Sequence, residues 1–211
     1  MTKMLDNQPI KALFLDIGGV LLTNGWDRHA RRRAAELFNL DYAQLDERHH
    51  LTFDTYESGK LTLDDYLKRI VFYEKRPFSP LEMTHFIMEQ SQPFPDMIDL
   101  MKRLKQQHGL KLVAVNNEGR EINAHRIRKF GLDTFFDAFV SSCYAHLRKP
   151  DTDLYQLALD VAQVEPGQVA YIDDRLMFVQ VARSQGMHCI QHTDYATTRS
   201  KLAALGLPLD D

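Results

Sequence analysis

The chain has 211 residues, of which 44% are hydrophobic and 26% charged, and its formal net charge is −3 at pH 7. This length and composition are typical of a globular protein with one substantial core and room for a modest insertion. The small negative charge creates no field that would attract nucleic acid or an acidic membrane surface. We therefore expect no nucleic-acid partner and no membrane partner.

The N-terminal residues and the two cysteines indicate the cellular compartment. Residues 1–11 contain no long apolar run, and no uncharged apolar stretch reaches the length of a membrane span. Cys143 and Cys189 are far apart and fit no zinc-binding spacing. We expect reduced thiols in a cytoplasmic protein that is a monomer or a weak dimer.

Short apolar runs predict the strands. The first covers residues 12–15, and it is too short for a helix and apolar on both faces, as in a strand buried within a parallel sheet. Four later runs have the same character, the last being the weakest: residues 110–115, 135–140, 169–172 and 187–190.

Helical patterns separate these strands. Apolar residues recur at i, i+3, i+4 and i+7 in residues 96–105, directly after Pro95, which a helix tolerates in its first turn. Further helices are predicted at 121–130, from 151 onward, around 179–186 and at 195–205. The helix that follows Asp151 is expected to bury four side chains: Leu154, Leu157, Ala158 and Val161. Alternating strands and helices predict an α/β fold with a parallel sheet covered on both faces.

One region departs from this alternation. Residues 25–93 contain no clear strand but three helical patterns, at 27–38, 62–72 and 79–90. The arginines of residues 28–33 are balanced by nearby acids and indicate a solvated helix face. We therefore predict a core formed by residues 1–24 and 93–211 and a helical insertion at 25–92.

Polar residues follow three of the predicted strands. Asp16 follows the first, Asn116 and Asn117 follow the second, and Asp173 and Asp174 follow the fourth. Each motif alone is also typical of a turn or a helix cap. Ligands of parallel sheets bind at the carboxyl ends of the strands, so the joint occurrence of these residues predicts a site at that edge.

The chemistry of this set favours a cation. Three neighbouring aspartates repel one another unless a cation lies among them, and oxygen ligands are those that Mg²⁺ prefers. Lys149, in the motif R-K-P-D, would balance the remaining charge, and Asn116 and nearby backbone amides would hold phosphate oxygens. Such a site suits phosphoryl transfer on a small-molecule phosphate substrate.

Four motifs, taken in order, resemble those of the haloacid dehalogenase-like hydrolase superfamily: F-L-D-I-G-G-V-L, V-A-V-N-N, R-K-P-D and Y-I-D-D-R. The resemblance covers essentially the whole chain. It implies a Rossmann-like parallel sheet core flanked by helices, with a small all-helical cap inserted after the first strand. It also implies a phosphatase that uses Mg²⁺ as its cofactor.

The resemblance assigns roles residue by residue. Asp16 would be the nucleophile that forms an aspartyl-phosphate, and Lys149 would steady both the nucleophile and the phosphate. The metal would be held by Asp16, Asp174 and the main-chain carbonyl of Gly18, with Asp173 binding it or ordering its waters. The substrate phosphate would contact Asn116, which stands where the family usually has Ser or Thr, together with Asn117 and Gly18.

Gly18 departs from the family pattern. Phosphatases of this superfamily commonly have a second Asp two residues after the nucleophile, which acts as acid for the leaving group and base for water. Because general acid–base help is worth roughly 10²–10⁴-fold in rate, its loss predicts a slow enzyme, an enzyme limited to good leaving groups, or one that takes the group from elsewhere. The candidates are Glu118, His146, a residue of the insertion and the substrate itself.

Two other interpretations compete with the phosphatase. A haloacid dehalogenase would need no metal, and the acidic pair Asp173 and Asp174 argues against it. A binding or scaffold protein that has lost turnover is supported by Gly18, whereas Asp16, Lys149 and Asp174 count against it.

Residues near the insertion allow softer predictions. Trp26 either lines the cleft or packs at the hinge, and Arg120 is expected in a salt bridge at a helix start. The nine histidines, which include His49 and His50, lack metal-ligand spacing with supporting carboxylates, and most of them are interpreted as surface residues. The two chain crossings near Asn24 and Pro93 would form a hinge that lets the insertion open and close.

Overall fold

A five-stranded parallel sheet forms the centre of the protein. The computed structural model describes residues 8–210. Within them the strands are β1 (Ala12–Leu15), β2 (Lys111–Asn116), β3 (Ala138–Ser141), β4 (Val169–Asp173) and β5 (His188–Gln191), in the order β3-β2-β1-β4-β5. Every neighbouring pair is parallel. This confirms the predicted α/β fold.

The central strand β1 is buried on both faces because every one of its residues is apolar. Leu13 and Leu15 face one hydrophobic cluster, and Ala12 and Phe14 face another on the opposite side of the sheet. All four side chains are fully buried. A strand with period-two side chains and no polar residue is stable only in this position.

Helices fill the connections. Between β1 and β2 lie α1 (Arg28–Leu37), α2 (Tyr42–His50), α3 (Phe53–Glu57), α4 (Leu63–Ile70) and α5 (Pro80–Glu89). They are followed along the chain by α6 (Pro95–His108), α7 (Arg120–Lys129), α8 (Ser142–Ala145), α9 (Thr152–Ala162), α10 (Leu176–Ser184) and α11 (Tyr195–Ala204). No helix in the described part of the chain is long and apolar enough to cross a membrane.

Helices α1 to α5, which we call the helical segment, have a hydrophobic cluster of their own. Its buried residues come from these helices and the turns beside them, with Ile122 of α7 added from the sheet side. Side chains of Asp27, Asp41, Thr62 and Ser79 cap four of the helices. The sequence patterns predicted α1, α4 and α5 but not α2 and α3, since α2 buries only Leu45 and His49 and α3 is a five-residue helix.

Several local predictions differ from the structure. The third strand begins at Ala138 rather than near residue 135, because residues 132–134 form a 3₁₀ turn that packs Phe135 and Phe136 into the core first. The prediction that Val161 is buried was wrong, since its exposure is 49%. In α9 the buried face instead runs through Leu154, Tyr155, Ala158, Leu159 and Ala162, with Leu157 only partly buried.

The two crossings between the helical segment and the sheet lie side by side. The Thr23 backbone N–H donates to the carbonyl of Gln92, and the Gln92 backbone N–H donates to Thr23 Oγ1. Leu22 and Pro93 form an isolated antiparallel bridge at the same point. The buried Arg126 of α7 reaches both crossings, since its guanidinium donates to the Thr23 carbonyl at 2.8 Å and to Ser91 Oγ at 2.9 Å.

Candidate active site

The parallel register brings the predicted acids together at one edge of the sheet. Leu15 is aligned with Ile172, so Asp16 follows β1 beside the end of β4, and its backbone N–H donates to the Ile172 carbonyl. Carboxylate oxygens of Asp16, Asp173 and Asp174 all lie within 4.8 Å of one another. The strand ends therefore place the three acids in one cluster.

Lys149 lies inside this cluster. Its Nζ is 3.2 Å from Asp16 Oδ1 and 2.7 Å from Asp173 Oδ2, and the side chain is almost completely buried. Burial by itself lowers the pKa of Lys149, but the two carboxylates outweigh that effect and raise it. The lysine is therefore held in its charged form between the nucleophile candidate and β4.

Both carboxylate oxygens of Asp173 accept hydrogen bonds that hold the cluster together. Its Oδ2 accepts from Lys149 Nζ and from the hydroxyl of Tyr171, and its Oδ1 accepts from the Arg175 backbone N–H at 2.8 Å. Burial raises the pKa of Asp173, yet these donors, led by Lys149, bring it below its usual value. Our sequence analysis missed Tyr171, although a residue two positions before Asp173 on the same strand lies on the same face.

The hydrogen bonding of the Asp174 carboxylate is incomplete within the described residues. Its Oδ2 accepts from Asn24 Nδ2 at 3.3 Å, and its buried Oδ1 has no hydrogen-bond partner among residues 8–210. Burial raises its pKa, against the Asn24 hydrogen bond and with the help of the Asp173 charge. Such an unpaired carboxylate oxygen is costly unless a cation or an ordered water meets it.

The pKa of Asp16 reflects both its burial and the excess negative charge of the cluster. Burial raises its pKa to about 7, the nearby Lys149 opposes this, and Asp173 and Asp174 reinforce it. One lysine therefore does not neutralise three carboxylates. The oxygen ligands, the excess negative charge and the open Asp174 Oδ1 fit a divalent cation of the Mg²⁺ type.

The two asparagines after β2 have different environments. Asn117 lines the cleft beside Asp16, and its amide bonds both the carbonyl and the N–H of Lys149, which positions that residue's backbone. Asn116 is only 2% exposed, and its amide closes a ring of hydrogen bonds with Asn123 and Ser141. A direct phosphate contact by Asn116 stays a prediction.

Gly18 lies where the chain turns after β1. A Cβ added to it would lie 2.9 Å from Asn24 Oδ1 and 3.7 Å from Arg126 Nη1. That arginine also pairs with Glu118, whose Oε2 is 2.9 Å from Nη1. The space beside Gly18 is therefore bordered by Asn24 and by the buried Glu118–Arg126 pair.

A cleft of about 450 Å³ connects the cluster to the helical segment. Asp16, Gly18, Asn117 and Lys149 line it from the sheet side. Its other wall comes from the start of α1 and from α2, α3 and α4, with the aromatic residues Trp26, Phe53, Tyr56 and Tyr66. The cleft thus has an acidic end at the strand edge and an aromatic wall formed by the helical segment.

Several single-residue predictions have a clear outcome. Trp26 lines the cleft and also packs within the helical segment, where its indole N–H donates to the Tyr66 hydroxyl at 2.9 Å. His49 is an exception to the interpretation of most histidines as surface residues, because it is 9% exposed and its Nδ1 lies 2.7 Å from the same hydroxyl. Arg31 is buried too and pairs with Asp46, so the arginine-rich face of α1 is not wholly solvated.

Three further predictions concern Arg120, His146 and Glu118. Arg120 donates to the Cys143 carbonyl at 2.8 Å and stacks on Tyr144, which is a different contact from the predicted salt bridge. His146 is exposed, and its Nδ1 lies 2.7 Å from the Ser58 carbonyl. Glu118, in contrast, lines the cleft.

The fold and the polar cluster at the strand ends are those of a Rossmann-like α/β enzyme. A model of the haloacid dehalogenase-like hydrolase family matches residues 10–186. The chain therefore belongs to the haloacid dehalogenase-like hydrolases.

Two relatives match most of the chain. The phosphorylated carbohydrates phosphatase of Thermotoga maritima is 26% identical over 191 residues, which are 86% of this chain and 84% of that protein. The sesquiterpene phosphatase astK of Aspergillus oryzae is 27% identical over 197 residues, covering 92% of this chain and 96% of the relative.

Solved structures share the fold. The HAD family enzyme bt-2542 of Bacteroides thetaiotaomicron, in complex with magnesium and inorganic phosphate, has a TM-score of 0.72 at 19% identity, covering 89% of this chain and 98% of that one. The L-2-haloacid dehalogenase of Xanthobacter autotrophicus has a TM-score of 0.62 at 15% identity, covering 94% of this chain and 84% of that one.

Proposed function

We propose that the protein is a Mg²⁺-dependent phosphatase that hydrolyses a small phosphate monoester through an aspartyl-phosphate at Asp16. The observation that carries this proposal is the cluster of Asp16, Lys149, Asp173 and Asp174 at the strand ends, of which Asp16 and Lys149 line the cleft. The family match and the two relatives named as phosphatases support the reaction class. Their names give different substrates, so we propose no particular metabolite.

The nucleophile in this proposal is the Asp16 carboxylate. The Ile17 backbone N–H and Lys149 both bind Oδ1, which leaves Oδ2 free to attack phosphorus. Lys149 stabilises the negative charge that shifts onto the phosphoryl oxygens, and Asp173 and Asn117 hold the lysine in place. Water then attacks phosphorus and releases inorganic phosphate from Asp16.

The metal would be held by Asp16, Asp174 and the main-chain carbonyl of Gly18. Asp173 would contribute through ordered waters, because both of its oxygens already accept hydrogen bonds from the protein. A bound Mg²⁺ supplies positive charge next to the phosphate and relieves the repulsion among the three acids.

We further propose that residues 25–92 act as a cap on a core formed by residues 1–24 and 93–211. The cleft between the two is lined by Trp26, Phe53 and Tyr56 on the cap side, and these residues would contact the part of the substrate beyond its phosphate. The paired crossings at Thr23 and Gln92 would act as the hinge.

The test compares Asp16→Asn with Asp27→Asn on a panel of phosphate monoesters in the presence and absence of Mg²⁺. Asp27 lines the same cleft but caps α1, a role that Asn fills equally well. We expect Asp16→Asn to lose at least about 10³-fold in phosphate release and Asp27→Asn to stay near wild type. Mass spectrometry of acid-quenched wild type should show a phosphoryl group on the peptide that contains Asp16.

Other outcomes would select the competing functions. Metal-independent halide release from 2-haloacids would indicate chemistry on carbon. An inactive wild type that still binds Mg²⁺ and phosphate would indicate a binding protein.

A further inference from the structure

The proposed reaction needs a group that donates a proton to the leaving oxygen, and residue 18 has no side chain to do so. Carboxyl and imidazole groups that line the cleft are the candidates: Asp16, Asp27, Glu57, Glu118, His29, His49 and His50. Asp16 is the proposed nucleophile, which leaves six groups to compare by their contacts.

Three of these groups are excluded, two by their structural contacts and one by its lowered pKa. Asp27 caps α1 by accepting from the backbone N–H groups of His29 and Ala30. Glu57 belongs to α3 of the helical segment, across the cleft from the strand ends, and its carboxylate is bound by the guanidinium of Arg148 at 2.5 Å. Burial lowers the pKa of His49 to about 3, so this imidazole is neutral and cannot act as the acid.

The two remaining histidines lie at the solvent side. His29 is exposed in the first turn of α1, next to Arg28. His50 is exposed as well, and its Nδ1 lies 2.7 Å from the Asp46 carbonyl on the same helix. Neither is placed at the strand edge where the phosphate would bind.

Glu118 differs from all of them. It follows β2, the neighbour of β1 in the sheet, and only 8% of it is exposed. Its backbone N–H donates to Ser142 Oγ, its Oε1 accepts from the Gly119 N–H at 3.1 Å, and its Oε2 pairs with Arg126. Because Arg126 Nη1 would lie 3.7 Å from a Cβ at residue 18, Arg126 links Glu118 to the place of the missing side chain.

We infer that Glu118 is the general acid and base of this enzyme, acting in place of a side chain at residue 18. The inference rests on the proposed phosphatase function. When Asp16 Oδ2 attacks phosphorus, the bond from phosphorus to the leaving oxygen breaks and the Glu118 proton passes to that oxygen, giving an alcohol. When water attacks the phosphoryl group, its proton returns to Glu118 and the bond from phosphorus to Asp16 breaks.

The electrostatics of the site agree with this role. Burial raises the pKa of Glu118 to about 7, although Arg126 opposes the shift, and the Glu57 charge adds to it. A carboxyl group that titrates near neutrality can both give and take a proton during turnover. The pairing with Arg126 and the hydrogen bond from the Gly119 N–H hold the carboxyl group in position.

The experiment measures wild type, Glu118→Gln and Glu57→Gln with two Mg²⁺-saturated substrates. One is p-nitrophenyl phosphate, whose leaving group needs no proton, and the other is an alkyl phosphate, whose leaving oxygen must be protonated. For Glu118→Gln we expect kcat/KM to fall roughly 10²–10⁴-fold with the alkyl phosphate and less than about 10-fold with p-nitrophenyl phosphate. Glu57→Gln removes a charge that helps to raise the pKa of Glu118 but leaves the Glu118 carboxyl group in place, so we expect a loss of less than about 10-fold with either substrate.

Equal losses of Glu118→Gln on both substrates would overturn the inference and assign Glu118 a structural role beside Arg126. If Glu118→Gln does not fold, Glu118→Asp gives the same contrast, since a shortened acid protonates the alkyl leaving group poorly and leaves p-nitrophenyl phosphate little affected. Failure of the phosphatase proposal is distinct: wild type itself would then release no phosphate from p-nitrophenyl phosphate.

Discussion

At the scale of single residues, Gly19 controls how closely the turn after β1 approaches Asp174. Its φ is +73°, a conformation that L side chains rarely adopt, and a Cβ there would lie 2.4 Å from Asp174 Oδ2. Asp174 is the acid with the unpartnered Oδ1, so its position decides whether a cation can be held at that oxygen. Only glycine permits this approach.

We predict that Gly19→Ala weakens Mg²⁺ activation. Both the strained backbone and the displaced Asp174 should contribute, so the matched control is Gly109→Ala, where φ is +65° and no atom of residues 8–210 lies within 4 Å of the added Cβ. Each variant should lose about 1 kcal/mol of stability from the backbone alone. In titrations of phosphatase activity with Mg²⁺, only Gly19→Ala should need a higher Mg²⁺ concentration. We expect an increase of about tenfold or more, which corresponds to a loss of about 1.4 kcal/mol in the free energy of Mg²⁺ binding. A normal Mg²⁺ requirement for Gly19→Ala would contradict the role given to Asp174.

At the scale of elements, His49 joins three helices of the helical segment. It belongs to α2, its Nδ1 contacts the Tyr66 hydroxyl of α4, and its ring stacks on Phe53 of α3 with centroids 4.9 Å apart. Burial, followed by the charges of Arg31 and His50, lowers its pKa from 6.5 to about 3. The packing of α2 and α3 against α4 therefore requires a neutral imidazole.

This burial makes stability depend on pH. Between pH 6.5 and about 3 the unfolded chain binds the His49 proton and the folded chain does not, so the free energy of unfolding falls as the pH falls through this window. Between about pH 7 and about pH 5, this residue should contribute a loss of about 2 kcal/mol.

Urea unfolding of wild type, His49→Gln and His50→Gln at both pH values tests this prediction. His50 has a side chain that is 61% exposed, so its replacement should leave the pH dependence as in wild type. His49→Gln should be less stable overall but less sensitive to acid. An unchanged pH dependence in His49→Gln would show that another group is responsible.

Arg126 acts at the same scale by tying α7 to both crossings. Its guanidinium binds Thr23 and Ser91 at the two chain crossings and Glu118 in the loop after β2. A buried guanidinium needs all of these acceptors, because an unpaired charge at this position would cost several kcal/mol. The proposed proton donor and the proposed hinge are therefore held by one side chain.

At the scale of the whole molecule, α3 provides contacts between the helical segment and the loops at the sheet edge. The Tyr56 ring lies against the backbone of Gly119, where an added Cβ would be 2.0 Å from Tyr56 Cζ. Ser142 Oγ donates to the Glu57 carbonyl at 2.7 Å, and Arg148 pairs with Asp54 and Glu57. These contacts fix the width of the cleft above Asp16 and Lys149.

We predict that Gly119→Ala displaces α3 and widens the cleft. Gly119 has a negative φ of −66°, so the substitution adds no backbone strain, and the three atoms nearest the added Cβ belong to Tyr56. Phosphatase KM should rise several-fold, and fluorescence of Trp26, the single tryptophan, should change because Trp26 lines the cleft. Gly167→Ala is the control, since no atom in the described part of the chain lies within 4 Å of its added Cβ. Wild-type fluorescence and KM in Gly119→Ala would show that α3 does not set the cleft width.

The sequence by itself determined the features that depend on short, local residue patterns. An all-apolar β1 can only be a strand buried on both faces, and acids placed directly after β1 and β4 must meet at one edge once the strands are parallel. For this reason the fold class and the grouping of Asp16, Asp173 and Asp174 with Lys149 were predictable from short motifs.

The tertiary structure decided what depends on contacts between distant residues. His49, Arg31 and Arg126 are polar, and no periodic pattern predicts their burial, because each is compensated by a partner elsewhere in the chain: Tyr66, Asp46 and Glu118. The difference between Asn116, closed in a ring with Asn123 and Ser141, and Asn117, open to the cleft, also arises from packing. Short motifs specify which groups are available, whereas desolvation and pairing in the folded chain decide which of them face the substrate.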